Sequence, residues 1–213
     1  GSEPEDMARA VDVVRTYGDY SEYNLNCGCP SSRVSKKCFG AKLMLDPERV
    51  RQITSQMART AGGTPVTVKC RLGVDEHDSW AELLTFIRTV AQSGVRKFVL
   101  HARKCLLNGL STKQNREVPP LNYEWVHRLA GLFPEMKFVI NGGIRTLDEA
   151  EMHVRLNHGV EEVPSPVRDL RVSSPQAQHA REHHREAMVW SRHSSTGSQG
   201  SKMRLWDADI THD

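Results

Sequence analysis

Residues 66–101 decide the fold, and they read VTVKCRLGVDEHDSWAELLTFIRTVAQSGVRKFVLH. The apolar, β-branched run at 66–70 predicts a strand. Ser79 and Glu82 have the spacing of a capping box, which predicts a helix that continues to about Gln92. A second apolar run at 97–101 predicts another strand. Two strands joined by a helix are typical of a parallel βαβ unit.

The same alternation continues on both sides of this unit. Asp46-Pro47 combines an N-cap with a proline at the first helical position, which predicts the start of another helix. Thr146 and Glu149 form a second capping box and predict the last helix. Further helices are predicted at 4–17 and 123–132, and further strands at 22–26 and 137–140.

Four βα units over residues 1–156 predict an α/β fold with a parallel sheet. We interpret it as a partial (β/α)₈ TIM barrel, because a complete barrel takes about 250 residues. An open doubly wound sheet is the alternative, but chemically active residues follow each strand, as at the catalytic face of a barrel. A half barrel is expected to leave an unsealed apolar inner face and two open sheet edges, through which the chain could associate with itself.

Residues 157–213 differ in composition from the preceding part. They are rich in Ser, His, Arg and Gln, without a sustained apolar period, which predicts a disordered, low-complexity tail. His179 and His183 have helical metal-ligand spacing, but a polar tail explains them without a metal. The composition is that of out-of-frame or wrongly spliced translation, which comparison of transcript and genome would test.

No stretch reaches the ~18–20 apolar residues that a membrane span requires, so no membrane partner is expected. The default location is the cytoplasm; an organelle stays open because a targeting segment could precede Gly1. Five cysteines without a CxxC pair argue against a disulfide framework.

Cys27 and Cys29 follow the first strand, in a turn containing glycine and proline that can hold a thiol over a pocket. With Cys38 the two thiols could instead bind zinc, although no structural metal is expected. Lys69 shares its strand face with Thr67 and Arg71, and this face would line the barrel interior, where a lysine needs an anion.

The third strand ends at His101 and the fourth at Asn141, with Gly142 and Gly143 behind it. Glycines at this position let backbone N–H groups approach a phosphate. Together with Lys69, these residues indicate a cofactor that is anionic and carries a phosphate.

The long excursion at 102–119 carries four cations and one acid. A positive loop at the catalytic face suits a polyanionic substrate, although a solvated surface loop would have the same composition.

The motifs resemble those of the tRNA-dihydrouridine synthases. They are, in order, NLNCGCPS at 24–31, VTVK at 66–69, HARK at 101–104, NREVPPL at 115–121 and INGGI at 140–144. The HARK and NRE-PPL segments resemble the A-type subfamily. The resemblance covers residues 1 to about 160 and implies a flavin enzyme that reduces uridine in tRNA to 5,6-dihydrouridine, with FMN as cofactor and NADPH as reductant.

The resemblance also implies roles for single residues. Cys29 would be the acid that protonates C5 of the uracil, for which a thiol is suited because its reference pKa of about 8.5 lies close to working pH. FMN contacts would come from Lys69, His101, Asn141, Gly142 and Gly143. Contacts to tRNA would come from Asn26, Lys113 and Arg116.

Parts of the family pattern have no counterpart here, namely two preceding strands, a later strand ending in Gly-Arg, and the helical tRNA-binding domain. The activity of this chain alone is therefore in question. Two other functions stay open, a non-catalytic RNA-binding remnant and an FMN barrel oxidoreductase for a small molecule.

Overall fold

The computed structural model describes residues 1–30 and 39–156. The predicted tail and Cys38 lie outside the described residues. The helices are α1 (Pro4–Arg15), a 3-10 helix (Gly40–Leu45), α2 (Pro47–Thr60), α3 (Trp80–Ala91), α4 (Gln114–Glu117), α5 (Tyr123–Leu132) and α6 (Leu147–Leu156). The strands are β1 (Tyr23–Cys27), β2 (Val66–Arg71), β3 (Lys97–His101) and β4 (Lys137–Asn141).

All four strands are parallel and lie side by side in chain order, β1-β2-β3-β4. A doubly wound sheet reverses its strand order at a switch point and is covered by helices on both faces. A barrel keeps the chain order and carries its helices outside. The observed order confirms the partial barrel and not the doubly wound alternative.

The outer face of the sheet is the hydrophobic core of the protein. Its side chains are almost fully buried, among them Leu25, Cys27, Val68, Cys70, Phe98 and Leu100. The helices that cover this face bury their apolar stripes against it, as Val50 and Ile53 of α2 do, both at 0% exposure. Each fully buried side chain of this size contributes roughly 1.5–3 kcal/mol.

The inner face differs from what the sequence predicted. The apolar inner face expected above is wrong, because the strand period places mainly polar residues inward. The register aligns Asn24 with Thr67 and Asn26 with Lys69, and Asn24 Nδ2 donates to Thr67 Oγ1 at 2.8 Å. Close to the carboxyl end of the sheet, Arg71, His101 and Asn141 form one row. The interior therefore offers hydrogen-bonding groups and positive charge.

Helix starts follow the predicted caps. Ser79 Oγ accepts from the N–H of Glu82 at 3.3 Å, while the Glu82 carboxylate accepts from the N–H of Ser79 at 3.1 Å. Thr146 and Glu149 make the same reciprocal pair at the start of α6.

Boundaries elsewhere differ slightly from those predicted. The first helix ends at Arg15 and not at Tyr17, and β1 begins one residue later than predicted. The 3-10 helix and α4 were not predicted.

Among the described residues, no helix combines the length and hydropathy needed to cross a bilayer.

Candidate active site

The turn after β1 holds Cys29 by backbone contacts. Asn26 Oδ1 accepts hydrogen bonds from the N–H of Gly28 at 2.9 Å and of Cys29 at 3.1 Å. On the other side, the carbonyl of Cys29 accepts from the N–H of Ala41 at 2.9 Å. An asparagine that bonds backbone groups two and three residues ahead stabilises a tight turn. The half-buried Cys29 thiol is thus carried on a fixed backbone.

The two thiols of the turn have different surroundings. Cys27 is fully buried on the outer face, opposite Cys70 in the register. Burial raises the pKa of Cys27 well above its ordinary value, and the neighbouring Cys70 raises it further. In the described part of the chain, no three His, Cys, Asp or Glu side chains are grouped as metal ligands. Cys27 is therefore a core residue, and Cys29 is the thiol that chemistry can use.

His101 is a buried, neutral imidazole surrounded by cations. It is 4% exposed. Burial lowers the pKa of His101 to about 2, and the charges of Arg71, Lys69, Arg103 and Arg116 lower it further. Four positive side chains around one neutral ring create a site that favours an anion.

Three buried polar atoms in this region have no hydrogen-bond partner among the described residues. They are His101 Nε2, Asn141 Oδ1 and Arg103 Nε. A buried polar atom without a partner costs about 1–3 kcal/mol, so such atoms indicate a missing ligand or water. A flat, anionic cofactor with polar ring edges fits this donor and acceptor set.

The Gly142–Gly143 loop lies against the imidazole. A Cβ atom at Gly142, whose φ is +96°, would lie 2.6 Å from Cδ2 of His101. Only glycine allows this approach and this backbone conformation together. Tyr123 Oη donates to the carbonyl of Gly142 at 2.7 Å and holds the loop from outside.

Lys69 is half-buried one row deeper than His101 on the inner face, next to Val99 in the register. Its charge acts on the pKa of His101, so the two side chains belong to one electrostatic site.

The 102–119 excursion is an ordered loop built around Asn115. This asparagine is fully buried, and its amide bonds both backbone groups of Leu106, at 2.8 Å and 2.9 Å. Lys104 pairs with Asp78 at 2.7 Å, and Arg103 donates to the carbonyl of Pro119. These two cations are used within the protein, which the charge of the segment alone could not reveal.

The two predicted tRNA contacts lie at α4. Lys113 precedes the helix and is exposed, while Arg116 within it is half-buried. The third, Asn26, is exposed on β1, with its Oδ1 atom engaged in the Cys29 turn.

Sequence reasoning missed two residues that organise the site, Arg71 and Asn115. For Arg71, the only signal was its shared strand parity with Lys69. Asn115 had no signal, because an asparagine within a polar loop is common.

Comparison with known proteins identifies the family. The family model described as Dihydrouridine synthase (Dus) matches residues 1–163. A tRNA-dihydrouridine(20/20a) synthase of Pasteurella multocida (strain Pm70) is 45% identical over 160 residues, which are 75% of this chain and 48% of the relative. A protein of the same name from Xylella fastidiosa (strain 9a5c) is 47% identical over 161 residues, 75% of this chain and 47% of the relative. The chain spans about half the length of these curated relatives. Because the family model covers most of the sequence, the chain belongs to the dihydrouridine synthase family.

Proposed function

We propose that this chain carries catalytic and cofactor-binding residues of a flavin-dependent oxidoreductase that reduces uridine to 5,6-dihydrouridine in tRNA. The observation that carries the proposal is the cation-surrounded His101, whose Nε2 atom has no partner, in register with Arg71 beside the Cys29 turn. The names of the relatives suggest uridines 20 and 20a as targets.

FMN is the proposed cofactor. Lys69 would place its charge beside the flavin ring, and His101 with Asn141 would offer buried polar atoms to it. Gly142 and Gly143 would let backbone N–H groups approach the phosphate. The reduced flavin, restored by NADPH, would supply the hydride for C6 of the uracil.

Cys29 is the proposed acid. Its thiol proton would go to C5 of the uracil as the C6–H bond forms, so that the double bond is reduced by one hydride and one proton. The rigid turn keeps the thiol in one place for this transfer.

Transfer RNA is the proposed partner. Lys113 and Arg116 would contact phosphates, and Asn26 would approach the target uridine through its Nδ2 amide. The uridine must leave the base stack to reach the site, as in other enzymes that act on bases.

The test transplants residues 1–156 into the matching segment of the Pasteurella multocida relative. Purified chimera, NADPH and an unmodified tRNA transcript should yield dihydrouridine. Cys29→Ala should retain flavin binding and flavin reduction by NADPH but lose uridine reduction by about 10²-fold or more, the usual contribution of an acid catalyst.

Cys27→Ala is the matched control, because it removes the same thiol two residues away from the buried face. Its uridine reduction should stay within a few-fold of the unsubstituted chimera. Equal losses in both variants would contradict the role of Cys29. Flavin binding without tRNA binding would favour the small-molecule oxidoreductase, and tRNA binding without flavin would favour the RNA-binding remnant.

A further inference from the structure

Arg71 connects two loops of the site that are far apart in sequence. Its side chain is buried, and its guanidinium donates to three backbone carbonyls. Nε donates to Gly28 at 3.2 Å, while Nη1 donates to Asn115 at 2.6 Å and to Lys104 at 3.3 Å.

Each end of this bridge is attached to a residue with a proposed function. Gly28 directly precedes Cys29 in the turn after β1. Asn115 lies in α4, between Lys113 at its start and Arg116. The guanidinium is a planar, rigid fork, so a displacement of one carbonyl is transmitted to the other.

We propose that Arg71 is a positioning residue that couples RNA binding at α4 to the orientation of the Cys29 turn. The inference rests on the proposed function for the RNA contact. RNA that pulls on α4 shifts the carbonyl of Asn115, and Arg71 passes this shift to the carbonyl of Gly28. The thiol thereby adopts its working orientation when the substrate is bound.

Lysine at position 71 separates this coupling from charge. Arg71→Lys keeps one positive charge, but a single ammonium on a shorter reach cannot replace the fork that joins the two loops. Asn115→Asp is a second variant, because it removes the amide N–H bond to Leu106 and loosens α4 while Arg71 stays in place.

The experiment measures alkylation of Cys29 by iodoacetamide in the 213-residue chain, with the modified cysteine located by fragment mass spectrometry. Cys27, Cys70 and Cys105 are buried and serve as internal references. Rates are compared with and without an unmodified tRNA transcript, and tRNA affinity is measured in parallel. This readout requires neither flavin nor turnover.

In the unsubstituted chain, tRNA should change the Cys29 rate by about fivefold or more, the lower end of typical coupling between sites. In Arg71→Lys and Asn115→Asp the ratio should fall to near one, while tRNA still binds. Asp78→Asn is the matched control, because it breaks the Lys104 ion pair of the same excursion without touching the bridge, and it should keep the response.

The outcomes separate the two proposals. A response to tRNA that persists in Arg71→Lys would mean direct shielding of the thiol by RNA and would overturn the coupling alone. A chain that binds no tRNA would overturn both the proposed RNA contact and the coupling that rests on it. Loss of the response in Asp78→Asn as well would reduce Arg71 to a merely structural role.

Discussion

At the scale of single residues, the contact between Gly142 and His101 is the tightest feature of the candidate site. We expect Gly142→Ala to destabilise the fold and to weaken flavin binding, because its methyl group would enter the imidazole. The positive φ costs about 1–2 kcal/mol for an alanine, and the overlap adds about 1–3 kcal/mol. Urea unfolding and flavin fluorescence titration of the chimera measure the two effects.

Gly94 is the matched control for this substitution. Its φ of +95° nearly equals that of Gly142, but a Cβ atom there would meet nothing within 4 Å. Gly94→Ala should therefore show the backbone cost alone and leave flavin binding unchanged. Equal losses at both positions would show that the contact with His101 has no consequence.

His101 should make the fold sensitive to acid. Its pKa is about 2 in the folded protein against an ordinary value of 6.5, mainly because of burial. Between these values the unfolded chain binds a proton that the folded chain does not, so the free energy of unfolding should fall by roughly 1.4 kcal/mol for each pH unit below 6.5.

The His101→Gln variant tests this linkage, because it keeps a polar side chain without the titration. Urea unfolding at about pH 7.5, 6 and 5, values that bracket the ordinary pKa of histidine, should give a shallower decline for the variant than for the unsubstituted chain. Parallel declines would show that other groups dominate the acid response.

At the scale of elements, α4 is a single turn that presents the proposed RNA contacts. We expect Lys113→Ala/Arg116→Ala to weaken tRNA binding and to reduce the slope of log affinity against log salt, by roughly one unit for each phosphate that is no longer neutralised. Fluorescence anisotropy with labelled tRNA at several salt concentrations provides the measurement. The control, Arg9→Ala/Arg59→Ala, removes the same charge from exposed positions of the outer helices α1 and α2. An identical slope in both double variants would mean that α4 is only a solvated surface.

The helices and strands themselves were largely predictable. Ser79 with Glu82 and Thr146 with Glu149 mark helix starts because a cap depends on neighbours three residues away. The 3-10 helix at Gly40–Leu45 was missed because it forms where Ala41 bonds the Cys29 turn, a contact that no local pattern records.

At the scale of the molecule, the isolated chain is an open half barrel. Expressed alone, residues 1–213 should bind FMN weakly and reduce little tRNA, because the inner face that carries Lys69 and His101 is closed on one side only. An absorbance scan after purification and a reduction assay with NADPH would test this. Stoichiometric flavin and robust turnover would contradict it.

Self-association should occur, because apolar side chains are exposed at both ends of the sheet. They include Val13 and Tyr17 on and after α1 and Met152, Val154 and Leu156 on α6. Each open strand edge already has its own helix, so two copies would place α6 and α1 together where a closed barrel holds one helix. Sedimentation velocity should show association that increases with concentration. A discrete dimer with one flavin for two chains would contradict this expectation.

The sequence by itself determined the alternation of helices and strands, the parallel sheet and the residues at each strand end, because caps, strand parity and turn residues act over a few positions. Only the tertiary structure decided which of these groups meet. Arg71 reaches Gly28 and Asn115 across 43 and 44 residues, and the buried charge around His101 comes from separate segments of the chain. Such contacts depend on the register of the strands and the path of the 102–119 loop, and the entropy of closing these long loops is offset only when the whole sheet has assembled.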